Sequence, residues 1–147
     1  LRNHQDLTIA TNNLRIPAEL APTAFRDLYV FGGAVRSITQ ATTGPVTFTM
    51  TPGGPEVDIR CDLALIGVGA VDEGGYSTSN LGDAAMMSEM MQRAERTAIL
   101  ADSSKIGRRF FAQIAQLDRA DYLITDAPPP PHIAAALAQA DVQVLTP

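Results

Sequence analysis

Two rhythms of apolar and polar positions run along this chain. Short apolar or β-branched runs fall at residues 7–11, 28–31, 63–66, 97–101, 122–125 and 142–145, and they read as strands. The first five each end at asparagine, glycine or aspartate, residues that turn the backbone. The 63–66 run, Leu-Ala-Leu-Ile between Asp62 and Gly67, is nearly continuous and has the pattern of a parallel strand buried on both faces.

A helical rhythm occupies the stretches between. The clearest spans 80–96, with Asn80 as cap, Asp83 in the first turn, and Arg93 and Arg96 in the last. Met86, Met90 and Ala94, with Met87 and Met91, fall at helical spacing, a stripe that reads as adaptable core rather than a binding groove. Shorter helices are predicted over 14–20, capped by Asn12 or Asn13 with Pro17 in the first turn, over 109–116, and over 133–139. The run of four prolines ending at Pro131 reads as a stiff connector whose last member opens that final helix. Residues 36–58 are rich in Thr, Gly and Pro and read as loop with one short strand or helix near 46–50.

Strands alternating with helices imply βαβ units, hence an α/β fold with a parallel sheet covered on both faces. A chain of 147 residues with 46% hydrophobic positions suits a single domain.

Charge narrows the partners. A net charge of -5 argues against this segment gripping nucleic acid, which needs clustered Lys and Arg. The lone Cys61 closes no intrachain disulfide and fits a reducing cytoplasm. No apolar run approaches the roughly 20 residues of a membrane span, so no membrane partner is expected. A start at Leu1 rather than Met reads as a piece of a longer polypeptide. Nothing in the chain calls for a metal or a cofactor.

Four polar or glycine-rich turns follow the strands: Thr11-Asn12-Asn13, Gly32-Gly33, Gly67-Val-Gly69-Ala-Val-Asp72, and Asp102-Ser-Ser-Lys105. In a parallel sheet they would share the rim beyond the carboxyl ends of the strands, where ligands collect. Glycines allow close backbone approach, free amides attract oxyanions, and one Lys supplies a compensating charge. Asp72 and Asp102 can accept hydrogen bonds from hydroxyls, which a phosphate alone would not need. Each turn by itself is ordinary punctuation; their recurrence at one end suits a polyol bearing a phosphate.

Asp62-Leu-Ala-Leu-Ile-Gly67-Val-Gly69-Ala-Val-Asp72, Gly75-Tyr-Ser-Thr78, Leu100-Ala-Asp102-Ser-Ser-Lys105-Ile-Gly107 and Asp121-Tyr-Leu-Ile-Thr-Asp126 resemble successive signature segments of the DeoR-family C-terminal sensor domain. Thr8-Ile-Ala-Thr11-Asn12 and Val30-Phe-Gly32-Gly33 extend the likeness over nearly the whole chain. The resemblance implies a Rossmann-like three-layer fold similar to ribose-5-phosphate isomerase and CoA-transferases, with the N-terminal part truncated. It implies a phosphorylated sugar or related metabolite as effector, operator DNA bound only through an N-terminal winged helix-turn-helix outside this chain, and a homo-dimer or homo-tetramer. It points to Asp102 and Lys105 as effector contacts, with Thr11, Asn12, Gly32, Gly33, Gly69 and Asp72 lining the pocket beside Gly67. Two departures stand out. The family's Asp-x-Gly-Thr-Thr-like phosphate loop is not in this sequence, and Met87 stands where the family often carries Lys.

Two other functions compete. An isomerase-like enzyme needs a carboxylate base paired with an acid near the sugar carbons. Where such a loop would read Asp-Gly-Ala-Asp-Glu, this chain has Val68-Gly69-Ala70-Val71-Asp72, so two carboxylates have become valines. The reading is therefore a sensor and not an enzyme. An oligomerisation module with a vestigial pocket is the other competitor, supported by the Met-rich helix.

Overall fold

The computed structural model describes residues 3–147, which divide into two compact units, Leu1–Asp58 and Ile59–Pro147. In the first, β1 (Leu7–Thr11) pairs in parallel with β2 (Phe25–Val30), placing Thr11 opposite Val30. The connection carries a one-turn helix, α1 (Ile16–Glu19), with Pro17 in its first turn as predicted. Its N-cap is Arg15, which makes no capping side-chain bond; Asn13 instead accepts from the Arg15 amide through Oδ1 at 2.8 Å.

Residues 36–58 depart from the expected loop. β3 (Ala34–Arg36) and β4 (Ala41–Thr43) form one antiparallel hairpin, and β5 (Thr47–Thr49) and β6 (Glu56–Asp58) form another. β5 falls in the 46–50 stretch expected as a short strand or helix, whereas β3, β4 and β6 carry no such signal and are defined by cross-strand pairing. The buried hydrophobics of this unit are Ala24, Phe31 and Val46. Phe31 stacks on Phe48 with centroids 4.9 Å apart.

The second unit holds the predicted parallel sheet. β7 (Cys61–Gly67), β10 (Ala94–Leu100), β12 (Tyr122–Ile124) and β13 (Gln143–Leu145) pair in parallel in the order β13-β12-β10-β7. Register puts Ile66, Ile99, Leu123 and Val144 in one row across the sheet. The first three are almost fully buried and cluster with Ala84 and Met91 of α2 (Leu81–Gln92) and with Ile133 and Leu137 of α3 (Pro131–Gln139). Asn80 caps α2, accepting from the Asp83 amide at 3.0 Å, and Pro131 opens α3, both as the sequence predicts. The methionine stripe is core: Met86 and Met91 are buried, and Met87 and Met90 pack against the cluster.

Three expectations are corrected here. The sheet is buried on one face, because Leu63 and Leu65, alternating with Ala64 and Ile66, are 45% and 50% exposed. A run of apolar residues does not itself reveal alternation when both faces are apolar. α2 stops at Gln92, and Arg96 lies in β10, since pairing with β7 begins at Ala94 opposite Cys61.

The predicted helix over 109–116 is instead β11 (Ala112–Ala115), which pairs antiparallel with β9 (Gly75–Thr78), itself a hairpin partner of β8 (Ala70–Asp72). Ala112 and Ile114 are buried while Gln113 is exposed, a period of two in residues whose propensities favour helix. Pairing with β9 overrides that preference. The architecture is thus α/β, with a four-stranded parallel sheet and a three-stranded antiparallel one in this unit. No helix among the described residues is long and apolar enough to cross a membrane.

Candidate functional site

The first unit gathers Thr11, Asn12, Gly32 and Gly33 at one end of the β1–β2 pair. Phe31 N–H donates to the Thr11 carbonyl at 2.8 Å, and the Thr42 hydroxyl of β4 donates to the Phe31 carbonyl at 2.7 Å. Asn12 Nδ2 donates to the Thr42 carbonyl at 3.0 Å, while Thr11 Oγ1 accepts from the Asn13 amide at 3.1 Å. These side chains therefore knit the rim together. Gly33 has φ +118°, and a Cβ there would lie 2.3 Å from the Thr43 carbonyl oxygen; a Cβ on Gly32 would meet nothing within 4 Å.

In the second unit, register places Gly67 opposite Leu100 at the carboxyl end of the parallel sheet, and the space where its Cβ would stand is open. Asp102 and Lys105 follow within five residues of Leu100. Residues Ser103–Lys105 form a 3₁₀ turn capped by Asp102, whose carboxylate accepts from the Ser104 amide at 3.0 Å and from the Ser104 hydroxyl. The Lys105 amide closes the turn on the Asp102 carbonyl at 3.0 Å.

A residue outside the predicted set completes this turn. Asp126, just past β12, accepts from the Ser103 amide at 2.5 Å and from the Ser103 hydroxyl at 3.2 Å. The Ser103 amide holds the Asp126 carboxyl below the ordinary aspartate range, and the Ser104 hydroxyl does the same for Asp102. The first amides of the turn, which the sequence offered as an oxyanion cradle, are thus filled by the protein's own carboxylates. The Lys105 ammonium, 4.0 Å from Asp102 Oδ2 and 37% exposed, carries the turn's positive charge. It borders an open groove of about 660 Å³ whose polar lining includes Asp102, Asp126 and Thr146 and whose apolar lining includes Leu100 and Ile124.

Asp72 and Gly69 belong to the neighbouring hairpin. The Asp72 carboxylate accepts from the Gly74 amide at 2.8 Å and pairs with Arg109 Nε at 2.6 Å, leaving its side chain 14% exposed. The same contact pushes the Arg109 guanidinium pKa up. Arg109, with Phe110, Phe111 and Asp72, lines a smaller cavity of about 220 Å³. Gly69 has a packing reason: a Cβ there would lie 2.9 Å from the Phe110 ring. The segment after the Lys105 turn is laced to this hairpin, because Gly107 N–H donates to the Val71 carbonyl at 2.7 Å and Phe110 N–H to Ser77 Oγ at 2.9 Å.

Gly67, Asp102 and Lys105 thus share the end of the parallel sheet, and Gly69 and Asp72 reach them through Gly107 and Val71. Sequence reasoning missed Asp126 and Arg109 as site residues. The Ile-Thr-Asp segment carried a signal for the first; the helical misreading of 109–116 hid the second. Among the described residues, no group of three or more His, Cys, Asp or Glu side chains could hold a metal ion.

Comparison with known proteins matches residues 1–127 to the family model described as DeoR C terminal sensor domain. An HTH-type transcriptional regulator, GlpR of Haloferax volcanii, is 34% identical over 117 residues, covering 79% of this chain and 44% of that protein. The HTH-type transcriptional repressor GlcR of Bacillus subtilis is 30% identical over 86% of this chain and 47% of its own length. The glycerol-3-phosphate regulon repressor of Escherichia coli is 24% identical over 98% of this chain and 56% of its own. The chain spans about half the length of these curated relatives.

Proposed function

This chain belongs to the DeoR C-terminal sensor domain family, and from that premise we propose that it binds a phosphorylated sugar or related metabolite and governs a DNA-binding segment outside this chain. The observation that carries the reading is Lys105 at the carboxyl end of the parallel sheet, its ammonium bordering the open groove. An ammonium donates charge-assisted hydrogen bonds to phosphate oxygens, each contributing about 1.5–3 kcal/mol. Asp102 and Thr146 offer an acceptor and a hydroxyl to the polyol part, and Leu100 and Ile124 meet its carbon skeleton. The open space at Gly67 admits a ligand close to the backbone.

In this reading the chain is one effector-binding domain of α/β class. Thr11, Asn12, Gly32 and Gly33 contribute backbone and shape, while Asp72 acts through Arg109 rather than by touching a hydroxyl. Release of operator DNA follows if the ligand favours an arrangement of a homo-dimer or homo-tetramer that spaces the DNA-binding heads wrongly for their half-sites.

Sensing is favoured over catalysis by the state of the carboxylates. A general acid or base works best with a pKa near the operating pH, whereas Asp102 and Asp126 are held below the usual range and Asp72 is tied to Arg109. Asp72, Asp102 and Asp126 are thus held as hydrogen-bond acceptors rather than poised to move a proton.

The test uses the full-length regulator with sn-glycerol 3-phosphate, glucose 6-phosphate and inorganic phosphate as probes. At least one sugar or polyol phosphate should stabilise it thermally and release operator DNA. Lys105→Ala should bind operator as before and need about 10- to 100-fold more probe. Normal response by that variant, or turnover of ribose 5-phosphate by the wild type, would overturn the reading.

A further inference from the structure

Resting on that reading, we propose that Asp126 is the positioning residue that places Lys105 for phosphate capture. The turn carrying Lys105 has a local anchor and a distant one. Asp102 is the local anchor, binding the Ser104 amide and hydroxyl two residues away. It shapes the turn but cannot aim it, because it moves with the turn.

Asp126 is the distant anchor. It stands at the end of β12, whose Ile124 lies opposite Leu100 of β10 and whose Ile124 carbonyl accepts from the Ala101 amide at 3.1 Å. From this framework its carboxylate takes both the amide and the hydroxyl of Ser103. At the far end of the turn, Gly107 is tied to Val71. Lys105 is thereby suspended between two points fixed to the sheets. Without the first, the leading side of the turn keeps only its chain link to Ala101 and the local Asp102 bonds, and a flexible four-carbon side chain inherits the spread. Supports of this kind hold binding groups to productive geometry.

The molecule supplies its own control. Asp121, at the opposite end of β12, makes the same type of bond: its Oδ2 accepts from the Thr97 amide of β10 at 2.7 Å. That bond is far along the strand from Lys105 and ties the same two strands. A purely structural role for Asp126 predicts that its loss behaves like the loss of Asp121.

The experiment compares Asp126→Ala, Asp126→Asn and Asp121→Ala in the full-length protein. Thermal unfolding, half-saturating sn-glycerol 3-phosphate or glucose 6-phosphate, and amide exchange at Ser103 are measured. Asp126→Ala should need about tenfold more probe, and its Ser103 amide should exchange about tenfold faster. Asp126→Asn, which can still accept from the amide and donate to the hydroxyl, should stay within about threefold of wild type. Asp121→Ala should lower the unfolding temperature without moving the probe midpoint. Equal probe midpoints for Asp126→Ala and wild type would overturn the proposal, as would failure of Asp126→Asn to restore them. If the wild type answers to no phosphate, the sensing reading fails by itself, and unchanged Ser103 exchange in Asp126→Ala would then overturn the anchoring too.

Discussion

The two units are built on different terms. In Ile59–Pro147, one cluster of buried hydrophobic side chains joins both helices to the parallel sheet, and Ile99, Leu123, Ile133 and Leu137 are each 0% exposed. In Leu1–Asp58 the buried hydrophobics are Ala24, Phe31 and Val46, and the rim is held by hydrogen bonds donated by the Asn12 side chain, the Thr42 hydroxyl and the Asn13 amide. The contrast teaches that two rims which look alike in sequence draw their rigidity from different sources. The second unit's rim stands on a deep apolar core and is knitted above it by Asp102 and Asp126, whereas the first unit's rim rests on few buried hydrophobics and leans on its polar knitting.

The largest effect that tests this contrast is a cavity. Leu123→Ala, midway in the row between Ile99 and Val144, should destabilise the protein by about 2–5 kcal/mol, read from denaturant unfolding. Phe31→Ala should cost about 3 kcal/mol, the low end of what losing a buried ring costs, because a site with few buried neighbours relaxes more readily into the space. A loss at the high end would erase the difference between the units.

Next come two glycines from the predicted site, one in each unit. Gly33→Ala forces φ +118° on a residue with a Cβ and drives that carbon against the Thr43 carbonyl, at a cost of about 1–3 kcal/mol. Gly67→Ala meets open space and should change stability by no more than about 0.5 kcal/mol. If a ligand approaches the backbone there, the same substitution weakens probe binding while the thermal midpoint stands. Gly33→Ala with wild-type stability would contradict the strained turn, and Gly67→Ala with wild-type probe affinity would move the ligand elsewhere.

Legibility followed the same division. In the second unit β7, β10, β12, β13, α2 and α3 were visible, because elements over a deep core carry short unbroken apolar runs or helical spacing between turn residues. β8, β9 and β11 were not: the glycine-rich stretch from Gly67 read as a turn and 109–116 as a helix, and these short strands are defined by pairing with one another. In the first unit β1, β2 and the alternating 46–50 stretch that holds β5 were readable, while β3, β4 and β6 were not, since no apolar run or alternation marks them. The candidate site was legible as residue types but not as hydrogen bonds. Asp102 and Lys105 stood out by composition, yet nothing in their spacing showed that Asp126 would occupy the Ser103 amide or Arg109 the Asp72 carboxylate.

The finest test concerns the charge state of the polar knitting at the second rim. Asp102 and Asp126 titrate below the ordinary value of 3.8 because their ionised forms accept bonds from Ser104 and Ser103. Lys105 assists Asp102, and the two carboxylates oppose one another. A depressed folded-state pKa means that the contribution to stability is complete above the unfolded value and fades as the pH falls from it through the folded value. The turn should therefore be insensitive to pH from neutrality down to about 4, then open as each carboxyl takes a proton and its Ser partner loses an acceptor. Following the Ser103 amide by NMR should give a midpoint below 3.8, and Asp126→Asn should abolish that transition while leaving the one at Ser104. A Ser103 midpoint at or above 3.8 would mean that Asp126 does not hold the amide, and the second rim would have to be rigid through its core alone.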